Sequence, residues 1–221
     1  MQAVSKLFEL GCPLVILACN TASAKALRTI QQINLPVIDA TRRVLGVIRP
    51  TAECIGEITR SRHVGILATA GTIKSESYLL EIHKLSPDIV VTGEACPMWV
   101  SLVENNEYQS EGADYFVKQH INRLLDKDPM IDTIILGCTH YPLLLDKIRQ
   151  FTPGHIRIIA QGEYVARSLQ DYLNRHPEMD ASCEKGGKCR FLTTESENKF
   201  EESASIFLGR QDIKVESIAL E

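Results

Sequence analysis

The chain has 221 residues, of which 44% are apolar and 24% charged, and its formal net charge at pH 7 is −4. That length is sufficient for one large or two small hydrophobic cores, and the composition is typical of a soluble globular protein. The acidic balance argues against binding to nucleic acid. No apolar stretch approaches the roughly 20 residues of a membrane span, and Lys6 and Glu9 argue against a signal peptide, so we expect no membrane partner.

The cysteines are scattered over the chain and include no CxxC pair. There are seven of them: Cys12, Cys19, Cys54, Cys96, Cys138, Cys183 and Cys189. An odd number of scattered thiols indicates reduced cysteines and a cytoplasmic location rather than a disulfide framework, and it argues against a structural zinc site. Cys12, Cys54 and Cys96 are interpreted as core or incidental residues, and Cys183 and Cys189 as thiols of a polar loop.

Apolar periodicity predicts helices and strands that alternate almost throughout. The chain opens on a helix, with Val4, Leu7 and Phe8 on one face and Gly11 at its end. The elements predicted next, in chain order, are strand 14–18, helix 23–32, strand 35–38, helices 43–49 and 50–60, strand 63–69, helix 78–85, strand 88–92, helix 113–125, strand 133–136, helix 142–151, strand 156–160, helix 163–173, loop 176–188, strand 190–194, helix 197–207 and strand 214–219. This order is typical of parallel-sheet α/β proteins.

Short pieces between residues 39 and 50, and again at 151–155, indicate crossings between domains. We therefore predict an α/β fold of two similar parallel-sheet α/β domains, with the active site in the cleft between them. Residues 1–42 plus 152–221 form the first, discontinuous domain, and residues 43–151 form the second.

Two segments share one pattern, LVILACNT at residues 14–21 and TIILGCTH at residues 133–140. In each, an apolar run ends at a small residue and a cysteine, and a helical pattern follows. Cys19 and Cys138 are therefore expected at carboxyl ends of parallel strands, near helix N-termini, where α/β proteins bind ligands and thiolates are stabilised. A thiolate can remove a proton from carbon and a thiol can return it. Burial of both as small hydrophobes is the alternative, and for a matched pair we favour function.

His140 follows Cys138 by two residues and has three interpretations. It can form a nucleophilic pair with the thiol, cap its own turn, or bind and tune the substrate or the thiol, and we favour the last. A metal site of Cys19, Cys138 and His140 lacks a further ligand by spacing, so we predict no metal. Thr69 and Thr72, at another strand end, suit an anionic carboxylate, although an ordinary turn explains them as well.

The segments 18–22 (ACNTA) and 137–144 (GCTHYPLL) resemble the two cysteine motifs of the glutamate racemases, in the aspartate/glutamate racemase superfamily. Segments 65–73 and 95–104 agree, and the resemblance extends over essentially the whole chain, most weakly after residue 175. It implies interconversion of L- and D-glutamate without a cofactor, by a cytoplasmic homodimer that supplies D-glutamate for peptidoglycan synthesis, and so for cell wall biogenesis and cell shape. A racemase of another amino acid such as aspartate, and a truncated non-catalytic relative, are the alternatives.

The same resemblance assigns roles to individual residues. Cys19 and Cys138 match the two catalytic bases of the family. The substrate-binding positions match Asn20, Thr21, Thr139, His140, Thr69 and Thr72. An assisting acidic residue matches Glu104, for which a lone exposed glutamate is the competing interpretation.

The resemblance also shows one departure. The family opens with a strand that carries an Asp-Ser-Gly segment and then a Tyr-Gly loop, and neither occurs in these 221 residues. The first domain is therefore expected to be N-terminally truncated in this chain. Because the strand before Cys19 would lose a neighbour, we expect residues 1–221 alone to be weakly stable and poorly active.

Overall fold

A computed structural model describes residues 1–220. Its strands are β1 (Leu14–Leu17), β2 (Arg43–Gly46), β3 (His63–Ala68), β4 (Val90–Ala95), β5 (Thr133–Gly137), β6 (Arg157–Ala160), β7 (Phe191–Thr193) and β8 (Val215–Ser217). Its α-helices are α1 (Gln2–Glu9), α2 (Asn20–Thr29), α3 (Leu35–Ile38), α4 (Ile48–Ile58), α5 (Ala70–Lys74), α6 (Ser77–Leu85), α7 (Pro97–Glu104), α8 (Glu111–Lys127), α9 (Leu145–Phe151), α10 (Gly162–Arg175), α11 (Pro177–Ser182) and α12 (Glu197–Leu208). A π-helical turn, Ile30–Asn34, joins α2 to α3, and a 3₁₀ helix, Tyr141–Leu144, precedes α9.

The strands pair in parallel throughout the part of the chain that the structure describes. The largest sheet has the order β4-β3-β5-β6, while β1–β2 and β7–β8 form two separate two-stranded sheets. At the end of β3, Ala68 pairs with Ala95 of β4 on one side and with Gly137 of β5 on the other. The carboxyl ends of three strands therefore lie side by side. The α/β class with parallel sheets is confirmed.

The four-stranded sheet is covered on both faces. One core cluster, which includes residues of α7, α8 and α9, contains Trp99, Ile121, Leu124, Ile134, Leu136 and Ile148. The other, which includes residues of α4 and α6, contains Ile55, Ile66, Ile82, Ile135 and Ile159. Since neighbouring residues of a strand point to opposite faces, β5 supplies side chains to both clusters and all five of its residues are buried. The strand that ends at Cys138 is thus a rigid central element.

A third, smaller core surrounds β1 and β2. It contains Val4, Phe8, Val15, Ile30, Leu35 and Val44. Helix α2 packs closely on this sheet, because a Cβ atom added at Gly46 would lie 2.5 Å from Cδ2 of Leu27. Of the described strands, β2 alone pairs with β1.

Two predictions between residues 35 and 49 are wrong. Residues 35–38, predicted as a strand, form α3, because the π-helical turn leads directly into it and Pro36 is tolerated in a first helical turn. Residues 43–46, predicted as helix, form β2, because pairing with β1 buries Val44 and overrides the local helical pattern. The predicted loop 176–188 contains α11, which buries Met179.

The sheets also bear on the predicted domain boundaries. The boundary at 42/43 separates β2 from β1, with which it pairs, and the boundary at 151/152 separates β6 from β5, with which it pairs. Strand pairing thus moves the crossing points to the segment after Gly46 and the segment after Ala160. Division of the chain into two domains stays a proposal, with these later crossing points. No helix within residues 1–220 is long and apolar enough to span a bilayer.

Asp132 ties the start of β5 to the loop before β3. Its Oδ1 accepts hydrogen bonds from the hydroxyls of Thr59 (2.7 Å) and Thr133 (2.8 Å), and its Oδ2 accepts from the backbone N–H groups of Arg60 and Ser61, both at 2.7 Å. Burial by itself raises the pKa of Asp132, but these donors outweigh it and hold the pKa well below its usual range.

We expect Asp132→Asn to lower the free energy of unfolding by about 2 kcal/mol at pH 7, since an amide cannot accept all four bonds. A carboxyl with a depressed folded-state pKa stabilises the protein above its unfolded pKa of about 3.9 and loses that effect as the pH falls further. The difference between wild type and variant, measured by urea unfolding, should therefore shrink below about pH 4. A difference that stays constant down to pH 2.5 would contradict this account.

Asp88→Asn is the matched control for this experiment. Asp88 pairs with Arg62 in two hydrogen bonds, but its side chain is 62% exposed, and exposed ion pairs contribute little. We expect the same unfolding measurement to show a much smaller change at every pH.

Candidate active site

Cys19 and Cys138 each lie directly after a strand and before a helix. Cys19 is the N-terminal cap of α2, with an extended backbone and an exposed thiol, and its carbonyl accepts the first helical hydrogen bond, from Ser23 (2.9 Å). Cys138 follows Gly137 at the end of β5, shortly before the 3₁₀ helix, and is 8% exposed. The predicted strand-end position is found for both cysteines.

The two thiols are close enough to influence one another electrostatically. Burial raises the pKa of Cys138; the backbone N–H groups of His140 and Tyr141 oppose this rise, while negative charge on Cys19 adds to it. A thiolate at Cys19 therefore disfavours a second thiolate at Cys138.

Three threonine hydroxyls meet beside Cys19. Oγ1 of Thr21 lies 2.8 Å from Oγ1 of Thr69 and 3.1 Å from Oγ1 of Thr72, and the last two oxygens are 3.1 Å apart. Thr69 also caps α5, because its Oγ1 accepts from the backbone N–H of Thr72 (3.2 Å). We call these three side chains the hydroxyl ring. The turn after β3 approaches α2 closely, since a Cβ atom at Gly71 would lie 3.2 Å from Cγ2 of Thr21.

His140 connects Cys138 to Glu104. Its Nδ1 lies 3.7 Å from Sγ of Cys138, and its Nε2 is hydrogen bonded to Oε1 of Glu104. Glu104 is the last residue of α7 and its side chain is 45% exposed. Phe207 of α12 presents an edge to the imidazole, with ring centroids 6.5 Å apart. Glu104, His140 and Cys138 thus form one line of polar groups that ends at the thiol.

Asn20 is the first residue of α2 and its side chain is buried, with 2% of its surface exposed. Its Oδ1 accepts a hydrogen bond from the hydroxyl of Tyr78 (2.7 Å). Its Nδ2 is buried and has no hydrogen-bond partner among residues 1–220. An unsatisfied buried amide N–H destabilises a folded protein, so this donor is available to an acceptor on a bound ligand.

For Thr139 and Tyr78 the surroundings in the structure differ from what the sequence analysis suggests. Thr139 is exposed, and its side chain forms no hydrogen bond within the described chain, although it adjoins Cys138 and His140. Sequence analysis places Tyr78 only on a helix, whereas it packs against Gly137, where a Cβ atom would lie 3.1 Å from its ring. Gln161, which donates to the Tyr78 hydroxyl, is missed as well. Only a contact map could have revealed either residue.

The described residues contain no group of three or more His, Cys, Asp or Glu side chains arranged to hold a metal ion. The site is therefore built from two thiols, three hydroxyls, one amide and a histidine–carboxylate pair. Such groups can exchange protons with a bound molecule and donate hydrogen bonds to its anionic parts.

Comparison with known proteins gives consistent matches. The family described as Asp/Glu/Hydantoin racemase matches residues 1–169. The glutamate racemase of Roseobacter denitrificans is 37% identical over 220 residues, which cover 95% of this chain and 78% of the relative. That of Listeria monocytogenes serotype 4b is 37% identical over 215 residues, 97% of this chain and 77% of the relative.

Solved structures agree with these sequence matches. A glutamate racemase from Bacillus anthracis superposes with a TM-score of 0.88 at 33% identity, covering 99% of this chain and 78% of that one. The glutamate racemase of Francisella tularensis, solved in complex with D-glutamate, gives a TM-score of 0.83 at 26% identity, covering 100% and 78%. The resemblance inferred from the two cysteine motifs is confirmed, and the chain belongs to the Asp/Glu/Hydantoin racemase family.

Proposed function

We propose that the chain is a glutamate racemase, an isomerase that interconverts L- and D-glutamate by proton transfer at the α-carbon between Cys19 and Cys138, without a cofactor. The observation that carries this proposal is the matched position of two thiols, each directly after a parallel strand, on two sheets that Thr21, Thr69 and Thr72 connect through hydrogen bonds. Relatives that share about a third of their sequence with this chain are named glutamate racemases, which supports glutamate as the substrate.

The reaction is a transfer of one proton in and one proton out. The thiolate on one side takes the α-proton to its sulfur, and the thiol on the other side gives its proton to the opposite face of the same carbon. The thiol and thiolate have then exchanged places, so the reverse reaction needs no different machinery. This equivalence explains why two similar strand–cysteine–helix segments are present.

The α-proton of an amino acid is only weakly acidic, so the site must stabilise the negative charge that develops on the carboxylate. We assign this role to Nδ2 of Asn20, which is a donor without a protein partner. Thr21, Thr69 and Thr72 complete the wall beside Cys19, and Thr139 and His140 form the corresponding wall beside Cys138. Lys25, one turn after Thr21, lies near Gly71 at the edge of this wall and adds a positive charge suited to an anionic substrate.

Glu104 and His140 assist the Cys138 side of the reaction. Nε2 of His140 is hydrogen bonded to Oε1 of Glu104, and Nδ1 of the same ring lies 3.7 Å from Sγ of Cys138. The carboxylate therefore fixes the orientation of the imidazole beside the sulfur. Glu104 therefore acts through His140, and only His140 touches the reacting sulfur.

We also propose the wider context that the resemblance implies. D-Glutamate made by this chain would supply peptidoglycan synthesis in the cytoplasm, and the protein would act as a homodimer. Support comes from the relatives, which are named glutamate racemases. Sedimentation velocity of the purified protein tests the dimer directly.

The first test of the function is an assay of D-glutamate and D-aspartate in deuterated water, with protein expressed from its complete coding sequence. Racemisation with one deuterium incorporated at Cα is expected for glutamate. Turnover of aspartate instead would identify a racemase of another substrate. No exchange with either amino acid would identify a non-catalytic relative.

Cys19→Ser and Cys138→Ser should each lower racemisation by about a thousandfold or more, because a serine hydroxyl is far too weak an acid to supply the second base. Each variant should still eliminate HCl from one enantiomer of a β-chloro amino acid, since this needs one base to take the α-proton while chloride leaves the β-carbon. Near-normal racemisation by either variant would show that the cysteine concerned is not a base.

Cys54→Ser is the control for these variants. The Cys54 thiol bonds to backbone carbonyls one turn earlier in α4, and a serine hydroxyl can make the same bonds. Racemisation should be unaffected.

Glu104→Gln should lower kcat/KM by about tenfold to a hundredfold, the equivalent of one lost hydrogen bond to a charged group. The factor should be equal in both directions, because the equilibrium constant between enantiomers is one. Without the carboxylate the imidazole loses the hydrogen bond that fixes its ring beside the Cys138 sulfur. Glu107→Gln, a nearby exposed change, should leave kcat/KM unaltered. An unchanged kcat/KM in Glu104→Gln would remove Glu104 from the mechanism.

A further inference from the structure

We infer that Tyr78 and Gln161 are positioning residues for the side-chain amide of Asn20. A chain of hydrogen bonds runs from the Val47 carbonyl through Gln161 and Tyr78 to Asn20. It fixes the Asn20 amide with Nδ2 toward the substrate carboxylate. This inference rests on the proposed function, because it gives the orphaned Asn20 donor its ligand. It adds two residues that do not touch the substrate to the machinery of the site.

The chain of contacts is short and buried. Nε2 of Gln161 lies 3.1 Å from the Val47 carbonyl oxygen, 3.1 Å from Oγ1 of Thr51 and 2.6 Å from the Tyr78 hydroxyl. The Tyr78 hydroxyl lies 2.7 Å from Oδ1 of Asn20. Asn20, Tyr78 and Gln161 are 2%, 3% and 8% exposed, so solvent does not compete for these bonds.

The direction of the chain follows from its first member. A backbone carbonyl can only accept a hydrogen bond, so the atom of Gln161 that faces Val47 must be the nitrogen. That nitrogen has no lone pair to offer and has two protons for three neighbours. The Tyr78 oxygen, the nearest at 2.6 Å, accepts one proton, and the Val47 carbonyl and Thr51 share the other. The Tyr78 proton is then directed to Asn20, and the Asn20 atom that receives it must be the oxygen, which leaves Nδ2 on the other side.

Burial keeps this chain from reversing. Burial raises the pKa of Tyr78 far above its usual value, the bond from Gln161 opposes this, and charge on Cys138 adds to the rise, so the hydroxyl stays protonated at any working pH. Tyr78 consequently always has a proton to donate. If the chain were cut, the Asn20 amide could turn over and present its oxygen, which would repel a carboxylate.

The four residues belong to separate parts of the fold. Asn20 begins α2, Tyr78 lies on α6, Val47 precedes α4, and Gln161 follows β6. The hydrogen bonds therefore connect the helix that carries Cys19 to the far edge of the four-stranded sheet. The ring of Tyr78 also belongs to the hydrophobic cluster beneath α4 and α6, so Tyr78→Phe keeps the packing and removes only the hydroxyl.

The test is a double-mutant cycle between Tyr78→Phe and Asn20→Ala in protein expressed from its complete coding sequence, assayed with D- and L-glutamate. Tyr78→Phe should lower kcat/KM about tenfold. Asn20→Ala should lower it at least as far, and Tyr78→Phe should have no further effect in the Asn20→Ala background. Gln161→Leu, which breaks the chain one step earlier, should also be silent in that background.

Tyr141→Phe is the matched control, because Tyr141 is equally buried and its hydroxyl donates to the Cys96 carbonyl (3.2 Å), away from Asn20. Its effect on kcat/KM, of whatever size, should multiply with that of Asn20→Ala. Melting temperatures of all variants separate folding from activity.

If the effect of Tyr78→Phe on kcat/KM multiplied with that of Asn20→Ala, as is expected for Tyr141→Phe, the positioning role would be overturned. The proposed racemase function would not be affected by that result. A wild-type protein that neither racemises D-glutamate nor binds it in calorimetry would instead overturn the proposed function, and the positioning role with it.

Discussion

The position of Cys19 relative to Cys138 depends on side-chain contacts between α2 and the elements that follow β3. The two cysteines follow strands of different sheets, and no backbone pairing joins those sheets. What fixes their separation is the contact of Thr21 with Thr69 and Thr72, together with the bond between Asn20 and Tyr78. A third link runs from the Ser77 hydroxyl to the Ala24 carbonyl (3.3 Å). The two thiols are thus held relative to one another by polar contacts in the N-terminal half of a single helix, α2.

The two sides of the site are supported differently. Cys138 ends a strand buried on both faces, so its backbone has little freedom. Cys19 follows a strand of a two-stranded sheet with a small core, and its thiol is exposed. The side of Cys138 carries the hydrogen-bonded pair of His140 and Glu104, whereas the side of Cys19 carries the hydroxyl ring and the buried amide of Asn20. Local openings are expected first where buried contacts are fewest, which is the side of Cys19.

Sequence analysis predicts those features that are local in the chain. An apolar strand, a small residue, a cysteine and a helix start lie within eight residues, so both cysteine positions and the turn at Thr69–Thr72 could be found from pattern alone. The contact of Glu104 with His140 could not be predicted from local pattern, because it joins residues 36 positions apart, and Glu104 is singled out only through the family resemblance. Tyr78 and Gln161 leave no local signal, since a tyrosine on a helix and a glutamine after a strand are ordinary. The error at residues 43–46 has the same cause, as pairing with β1 decides the structure there.

The hydroxyl ring interacts differently with the ammonium group and with the carboxylate of an amino acid. Three hydroxyls within 2.8–3.1 Å of one another can bind in a closed cycle, in which each gives its proton to the next. All three protons are then used inside the cycle, and the free lone pairs belong to Thr21 and Thr72, because Thr69 also accepts from the backbone N–H of Thr72. An ammonium group meets these lone pairs without any rearrangement, whereas a carboxylate must first draw one proton out of the cycle, at a net cost of about one ordinary hydrogen bond, or ~1 kcal/mol. The ring can therefore bind a cation without rearrangement, and it can donate a proton to an anion only after one of its own hydrogen bonds is broken.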